Sequence, residues 1–282
     1  MDELATHLRS LISERHPISS PAGLRRAQDY LAEQYQRLGL QVSLHGFRAM
    51  GGTYKNVLGT LRPARAAFRS SRPPLIIAAH YDTVQETPGA DDNASGLAVM
   101  LEAARSLREA SLAYEVRFIA LCLEEQDLLG SLAYAASLRE ANEEIAGAIV
   151  LECVGYTSDR MGSQTAPPGT PVTIPSVGDF LGIVANTASA VLAKSFEQAA
   201  NREVAELKTV SLVIPAKGEQ LPDTRRSDHA AFWHYGYPAL MLTDTGNFRN
   251  PHYHRPTDTF ETLDLTFMQG VARAVTAAAT SL

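Results

Sequence analysis

Histidine and acidic residues follow several apolar runs of this sequence, in a pattern that suits a metal site. The run 75–79 is followed by His80 and Asp82, and Asp92 comes twelve residues after His80. Further groups of this kind are Glu124 with Glu125, Glu152, and segment 251–254 with Asp258. Zinc accepts imidazole nitrogen and carboxylate oxygen, and a catalytic zinc site keeps one position open. The joint occurrence of these groups, more than any one of them, indicates metal-assisted chemistry.

The pattern of apolar residues predicts how the chain brings these groups together. From residue 75 onwards, almost wholly apolar runs alternate with segments whose apolar positions recur at helical spacing. The predicted strands are 75–79, 116–123, 145–151, 210–214 and 239–243. One predicted helix begins near Ser95, and the others cover 128–140, 179–200 and the C-terminus. Runs that are apolar throughout are typical of strands buried on both faces. We expect an α/β fold, a three-layer α/β/α sandwich with a mixed, largely parallel central sheet.

The candidate ligands all come after predicted strands. Ligands of open α/β sheets bind at the carboxyl ends of the strands, so these residues fall where an active site is expected. Before residue 75, the spacing of leucines predicts two helices over 1–39, and two β-type runs at 40–47 and 54–61 predict a hairpin. The Gly- and Pro-rich segment 156–175 is interpreted as a long surface loop because the α/β pattern resumes after it.

Composition limits the class of protein. The 282 residues are 45% hydrophobic and 20% charged, as expected of one globular domain. The net charge of −6 argues against nucleic acid as a partner, because nucleic-acid binders carry a basic surface. The two cysteines, Cys122 and Cys153, lie in apolar runs and are expected to be buried thiols rather than a disulfide.

The same sequence gives no sign of a membrane partner. No apolar run approaches the length of about 18 residues that a membrane span requires. The acidic N-terminus lacks the basic and apolar regions of a signal peptide. We therefore expect a cytoplasmic protein. The sequence carries no signal for its oligomeric state.

Taken in order, the motifs resemble those of a known enzyme family. They are His80-x-Asp82, Gly89-Ala90-Asp91-Asp92-Asn93-Ala94-Ser95-Gly96, Glu124-Glu125 followed by Leu129-Gly130-Ser131, Glu152, Ser227-Asp228-His229 and His254-x-x-x-Asp258-Thr259. This set resembles the two-zinc exopeptidases typified by bacterial leucyl aminopeptidases, over about residues 20–280. The family also contains glutamate carboxypeptidases and glutaminyl cyclases. The resemblance implies a single zinc-exopeptidase catalytic domain over residues 1–282, with segments 156–175 and 215–226 as walls of the site.

The resemblance implies two Zn²⁺ ions per chain, although other divalent ions could take their place. Asp92 would bridge both ions, His80 and Glu152 would hold one, and Glu125 and His254 would hold the other. Two ions about 3.5–4 Å apart need a ligand with two oxygens on one carbon, which a carboxylate provides. Three carboxylates and a bridging hydroxide would balance the charge of two dications, whereas without ions the carboxylates would repel one another.

The resemblance also implies roles for three neighbours of the ligands. Glu124 is the expected general base, which takes a proton from the attacking water, and a dry pocket should raise its pKa. Asp82 would accept the other ring N–H of His80 and fix its tautomer. Tyr253 would donate to the oxyanion of the tetrahedral intermediate, and the alternative is an aromatic side chain that only packs.

The motif also selects among neighbouring residues. His254 rather than His252 is the expected ligand, because only His254 has Asp and Thr four and five residues later. His229 is expected to lie behind the ligands rather than to bind metal, and Asp91 is expected either to lie behind them or to be solvated. The resemblance also implies a cis peptide bond between Asp92 and Asn93.

The first function implied is a metal-dependent aminopeptidase, which removes N-terminal residues from peptides through a metal-bridged hydroxide and a Glu general base. Its substrate would be a peptide or a small amide. The alternatives are a carboxypeptidase or a single-zinc glutaminyl cyclase of the same fold, and a non-catalytic binding protein. The carboxypeptidase stays an alternative because residue 152 is Glu, whereas aminopeptidases of the family more often have Asp at this position. Arg225, Arg226 and Arg249 could bind a terminal carboxylate or be solvated surface side chains.

Overall fold

The computed structural model describes residues 3–63 and 72–282, and within these ranges eight strands form one mixed sheet. The strands are β1 Gln41–Ala49, β2 Gly52–Leu61, β3 Leu75–His80, β4 Val116–Leu121, β5 Gly147–Glu152, β6 Leu181–Asn186, β7 Thr209–Ile214 and β8 Ala239–Thr243. The α-helices are α1 Glu3–Leu11, α2 Pro21–Arg37, α3 Gly96–Leu107, α4 Leu129–Glu140, α5 Ala190–Glu203, α6 His229–His234 and α7 Leu265–Ser281. The predicted α/β class with a mixed sheet is confirmed.

Four parallel strands make up the centre of the sheet. The strand order is β1-β2-β4-β3-β5-β8-β6-β7. β3 pairs in parallel with β4 on one side and β5 on the other, and β5 pairs in parallel with β8. β2 and β6 flank this block in the antiparallel direction. The carboxyl ends of the four central strands therefore meet at one edge of the sheet, where β3 ends at His80 and β5 ends at Glu152.

Helices cover both faces of the sheet because the central strands are apolar on both sides. Ile77 and Ala79 of β3 belong to the larger core cluster, together with residues of α1, α2, α3, α5 and α7. Ile76 and Ala78 belong to the smaller cluster, together with residues of α4 and α6. Burial of a large aliphatic side chain contributes about 1.5–3 kcal/mol. Because helices pack on both faces, the central strands are held in place, and so are the strand ends that carry the candidate site.

One predicted helix is wrong. Residues 179–200 contain strand β6 followed by helix α5. All six residues of β6 are buried, and a short, fully buried strand cannot be distinguished from a helical segment by hydropathy alone. The side chain of Asn186 separates the two elements by accepting a hydrogen bond from the main-chain N–H of Ser189.

Two smaller differences concern strand length and a short helix. The predicted strand 116–123 ends at Leu121, and Leu123 has a left-handed φ of 63° that interrupts the extended backbone. The short helix α6 is not predicted from the sequence. In residues 3–63 and 72–282, no helix is both long and apolar enough to cross a membrane.

Candidate metal centre

The first part of the site lies at the end of β3. His80 is the last residue of the strand, and a loop leads from it to a π-helical turn, Ala90–Ser95, that carries Asp92. Gly89 enters this turn with a left-handed φ of 63°, where a Cβ atom would lie 2.5 Å from the carbonyl oxygen of Asp92. The peptide bond between Asp92 and Asn93 is cis, as the resemblance implied. His80 and Asp92 are both buried.

The two carboxylate oxygens of Asp92 face two different imidazoles. Oδ1 lies 3.1 Å from Nε2 of His80, and Oδ2 lies 2.9 Å from Nε2 of His254. The two histidines are far apart in the sequence, but the fold of the sheet places the loop after β8 next to the end of β3. The arrangement has the geometry that a bridging carboxylate needs, with one oxygen for each of two cations.

Each imidazole has a second carboxylate beside it. Oε2 of Glu152 lies 3.4 Å from Nε2 of His80, and Oε1 of Glu125 lies 3.3 Å from Nε2 of His254. In the described residues, potential ligand atoms lie within 4.8 Å of one another in three groups of three residues, which are His80 with Glu124 and Glu152, Asp92 with Glu125 and His254, and Asp92 with Glu152 and Cys153. All five sequence-predicted ligands therefore meet in one place.

Hydrogen bonds from neighbouring residues orient the candidate ligands. Ser227 Oγ donates to Oε2 of Glu152 at 2.6 Å, and Cys153 Sγ lies 3.3 Å from Oε1. The carboxylate of Asp258 accepts from the main-chain N–H groups of Asp91 and Asp92, at 2.9 and 3.2 Å. Such supporting contacts orient a ligand before metal binds, and their loss typically costs about 10–100-fold in metal affinity.

The carboxylate of Asp82 makes hydrogen bonds that were not expected from the sequence. Its carboxylate accepts hydrogen bonds from the main-chain N–H groups of Glu124 and Glu125, at 3.0 and 3.1 Å. Nδ1 of His80 lies 3.2 Å from the main-chain carbonyl oxygen of Asp82 and 3.7 Å from its Oδ1. The expected contact with His80 is thus made by the main chain, because two amide groups hold the carboxylate. Asp82 positions both glutamates after β4.

Glu124 faces the same space. The side chain is buried, and its Oε2 lies 3.9 Å from Nε2 of His80. Burial raises the pKa of Glu124 well above the ordinary value of 4.5, and although His80 lowers it, the charges of Glu152 and Glu125 raise it further. A carboxyl group with a raised pKa can accept and return a proton near neutral pH, as a general base requires.

Tyr253 lies against the second imidazole. Its ring stacks on the ring of His254 with 3.9 Å between centroids and 14° between planes. Nη2 of Arg226 donates to the Tyr253 hydroxyl at 3.2 Å, and Nη1 of Arg226 donates to Oδ1 of Asn247 at 2.8 Å. A guanidinium can only donate, so the Tyr253 hydroxyl keeps its own proton for another acceptor.

A cavity of about 110 Å³ opens beside Glu152 and Tyr253. Apolar side chains form most of its wall, chiefly Ile174, Phe180, Val184, Leu212, Met241 and Phe248. Segment 164–174 and residues Asp223, Thr224 and Arg226 contribute further lining atoms. The structure therefore brings parts of both segments that were predicted to wall the site, 156–175 and 215–226, to the same cavity.

Three residues near the motifs are held away from the ligand positions. Nδ1 of His252 lies 2.9 Å from Oγ1 of Thr257, and Nε2 of His229 lies 2.8 Å from the carbonyl oxygen of Thr224. Asp91 accepts a 2.6 Å hydrogen bond from Nδ2 of Asn250. His254 rather than His252 reaches Asp92, in agreement with the choice made from the sequence.

The arginines considered for a substrate carboxylate are not equivalent. Arg249 is buried, donates from Nε to Oε1 of Gln164 at 2.7 Å and lies over the ring of Phe180. Arg226 lies on the cavity wall, whereas Arg225 does not line it. Ser227 and Asp258 belong to the sequence motifs, but the motifs predict no contact for either residue. Their roles depend on distances between remote segments, for which one sequence carries no signal.

The profile of one peptidase family matches this sequence over residues 56–279, which contain every candidate ligand. The chain belongs to peptidase family M28. The uncharacterized protein YfbL of Escherichia coli K12 is 33% identical to this M28 chain, over 97% of the chain and 86% of YfbL. The family predicted from the motifs is confirmed.

Two other relatives are longer than this M28 chain. Aminopeptidase YwaD of Bacillus subtilis strain 168 is 28% identical over 80% of the chain and 44% of its own length. The solved structure of BSAP, a zinc aminopeptidase from Bacillus subtilis, has a TM-score of 0.61 and 29% identity, and covers 81% of this chain and 50% of its own. The chain therefore spans about half the length of these two proteins.

Proposed function

We propose that this M28 chain is a zinc-dependent aminopeptidase with two metal ions, which hydrolyses the amide bond after the N-terminal residue of a peptide. The observation that carries the proposal is the environment of Asp92, whose two oxygens face Nε2 of His80 and Nε2 of His254 at 3.1 and 2.9 Å. Each imidazole has a further carboxylate of its own beside it. Two adjacent cations require a donor set of this kind.

Buried polar atoms without partners support a metal at this place. Among the described residues, Nε2 of His80, Oδ1 of Asp92 and Oε1 of Glu125 are buried and make no hydrogen bond. Leaving such an atom unsatisfied costs about 1–3 kcal/mol, and more when it is charged. Cations between these atoms would satisfy all three. Nitrogen and oxygen donors suit zinc, and the likeness to a zinc aminopeptidase of Bacillus subtilis supports that choice.

The five ligands divide into two sets that share Asp92. His80, Asp92 and Glu152 would hold one ion, and Asp92, Glu125 and His254 would hold the other. Zinc bound there would polarise a carbonyl oxygen and lower the pKa of a water molecule. The three carboxylates also give the site a negative potential, which attracts the α-ammonium group at the N-terminus of a peptide.

Glu124 moves the proton in the proposed reaction. It takes a proton from the attacking water and passes it to the nitrogen of the leaving amine, so that the leaving group departs as a neutral amine. A base in this role needs to lie within hydrogen-bond reach of both atoms and to have a pKa near the working pH. Glu124 is buried, and burial raises its pKa above the ordinary value of 4.5, which is the direction that the second condition requires.

Tyr253 and Arg226 act on the carbonyl oxygen of the substrate. The Tyr253 hydroxyl accepts from Arg226 and has its proton free to donate to the oxygen as that atom gains negative charge. A fixed donor aimed at a developing oxyanion typically contributes about 10²–10³-fold to the rate. The stacking on His254 fixes the direction of the ring.

The apolar cavity beside Glu152 would receive the side chain of the N-terminal residue. Its wall of Phe, Ile, Val, Leu and Met side chains favours an apolar group such as leucine. Each methylene group that the cavity buries contributes about 0.8 kcal/mol to binding. The substrate class that fits best is therefore a peptide with a free N-terminus and an apolar first residue.

A substrate panel tests this function. Zinc-loaded protein should hydrolyse leucine and methionine anilides, and the activity should disappear with a chelator and return with zinc. N-acetylated leucine anilide is the matched control and should not be hydrolysed. Hydrolysis of N-blocked dipeptides with release of the C-terminal residue would instead identify a carboxypeptidase. Cyclisation of an N-terminal glutamine would identify a glutaminyl cyclase. Absence of turnover on every free-amine substrate would refute the aminopeptidase.

A further inference from the structure

Arg15 is a fully buried cation that lies outside the set of candidate ligands and catalytic residues. It belongs to the connection between α1 and α2 and has no exposed surface. In the described chain, the hydrogen bonds of its guanidinium all go to main-chain carbonyl oxygens and none goes to a carboxylate. The acceptors are Leu11, Ser13, Tyr81, Pro88 and Gly89. A buried charge without an ionic partner is costly, so its position needs an explanation.

Two of these hydrogen bonds reach the two ends of one loop. Nε donates to the carbonyl oxygen of Tyr81 at 2.8 Å, and Nη2 donates to that of Gly89 at 3.0 Å. Tyr81 directly follows His80, and Gly89 lies three residues before Asp92. The planar, rigid guanidinium therefore spans the 81–89 loop between the strand end that carries one ligand and the turn that carries the bridging ligand.

The loop closes tightly around the guanidinium. A Cβ atom on Gly89 would lie 2.8 Å from Nη2 of Arg15 and 2.4 Å from Cγ2 of Thr83. The main-chain N–H of Arg15 also donates to Oγ1 of Thr83, in the middle of the loop, at 3.0 Å. The carbonyl of Gly89 in addition accepts from the N–H of Ala94, within the π-helical turn. Arg15 thus joins the N-terminal connection, the loop and the turn.

The charge of Arg15 is offset by the site itself. Burial lowers its pKa to about 10, and Asp258, Asp92 and Asp82 oppose this lowering. The guanidinium therefore stays protonated at neutral pH. A fixed positive charge behind the carboxylates reduces the repulsion among them before metal arrives.

We propose that Arg15 is a positioning residue for the metal centre, which holds both ends of the 81–89 loop so that His80 and Asp92 are spaced for ligation before metal binds. The inference rests on the proposed metal-dependent function. In the described chain, the guanidinium of Arg15 makes no hydrogen bond to the side chain of a candidate ligand. It acts through the main chain of the residues next to the ligands.

The test compares Arg15→Lys with a matched control, Arg117→Lys. Lysine keeps the charge but cannot donate to Tyr81 and Gly89 from one rigid plane. Arg117 is a partly buried, hydrogen-bonded arginine near the start of β4, at the opposite end of that strand from Glu124. Zinc affinity is measured by competition with a chelator, together with kcat, KM and thermal unfolding of the metal-free proteins.

Arg15→Lys should bind zinc about 10–100-fold more weakly than the wild type, the usual loss when a residue that supports a ligand is changed. Its kcat at subsaturating zinc should fall with KM almost unchanged, whereas Arg117→Lys should leave zinc affinity and kcat as in the wild type. A variant that unfolds more easily but binds zinc as tightly as the wild type would overturn the proposal. A wild type that binds no zinc would refute the proposed function as well, so the two failures are distinguishable.

A second test uses only the wild-type protein, so its result does not depend on whether a variant folds. Hydrogen exchange of the metal-free protein should show protected amides across residues 81–94, because Arg15 holds this segment without metal. Rapid exchange there that slows only after zinc is added would overturn the proposal, since metal rather than Arg15 would then order the loop.

Discussion

Ser227 donates a 2.6 Å hydrogen bond from its Oγ to Oε2 of Glu152. This contact joins the segment before α6 to the end of β5, and it fixes the carboxylate oxygen that lies closest to His80. A glutamate has one more rotatable bond than an aspartate, so it needs such a partner to present one oxygen in one direction. The hydrogen bond therefore compensates for the longer side chain at this ligand position.

Ser227→Ala should weaken zinc binding about 10–100-fold, since Glu152 would lose its orienting donor. Free energy of unfolding should fall by only about 1 kcal/mol. Competition with a chelator measures the first quantity and denaturant unfolding the second. The control is Ser137→Ala, whose hydroxyl bonds to the carbonyl of Tyr134 within helix α4. Unchanged zinc affinity in Ser227→Ala would contradict the assigned role.

Glu124→Ala and Glu124→Gln should retain fold and zinc and lose turnover by about 10²–10⁴-fold, because no other group takes the proton from water. Steady-state rates, metal content and circular dichroism check the three parts of this expectation. Glu140→Gln, at an exposed position at the end of α4, is the control. Retained turnover in either Glu124 variant would remove this residue as the base.

Metal removal should make stability depend on pH. Burial raises the pKa of Glu125 from 4.5 to about 7, and at His254 burial is outweighed by Asp92 and Glu125, which raise its pKa from 6.5 to about 10. Both folded-state values exceed the ordinary values of an unfolded chain, so the folded chain binds more protons. The protons bound at these two residues stabilise the metal-free fold fully at pH values below their ordinary pKa values. This stabilisation is lost as pH rises through about 7 for Glu125 and about 10 for His254.

Zinc should reverse this dependence, because its ligands are deprotonated and the zinc-bound folded chain then binds fewer protons at these two residues than the unfolded chain does. The increase in Tm on adding zinc should therefore grow from pH 5.5 to pH 8.5, as thermal unfolding with and without chelator would show. An increase that shrinks over this range would contradict the assignment of Glu125 and His254 as ligands.

The cavity wall should determine the preference for the first residue. Leu212→Trp would fill part of the cavity, so kcat/KM for leucine anilide should fall by about 10–200-fold relative to that for alanine anilide. Val213→Trp is a matched control, because Val213 is the next residue of β7 and is 45% exposed. An equal loss for both substrates would show that this cavity does not receive the side chain.

The central strands and the ligands could be predicted because both leave local signals. Buried parallel strands are continuous apolar runs, and the run that ends at His80 forms β3 as expected. The ligands follow such runs, and their order along the chain matches a family pattern. β6 was mistaken for part of a helix because its apolar run looks the same in either conformation, and only Asn186 marks the boundary.

The contacts that orient the ligands could not be predicted in the same way. Arg15 lies among polar residues of a connection and resembles a surface arginine in sequence, although it is fully buried. The spacing of two residues predicts that the carboxylate of Asp82 contacts His80, yet that carboxylate accepts hydrogen bonds from the main-chain amides of Glu124 and Glu125. Such partners are 42 or more residues apart, and their meeting depends on the finished sheet.

Titration of zinc into chelator-treated protein, followed by hydrolysis of leucine anilide, tests the central claim most directly. Turnover should rise with added zinc and reach its maximum at two equivalents per chain, because the two ligand sets share Asp92. Asp92→Ala should bind less zinc and show no such rise. Full turnover without metal, or no turnover in protein that has bound two equivalents, would contradict the assignment of this site as a two-zinc aminopeptidase centre.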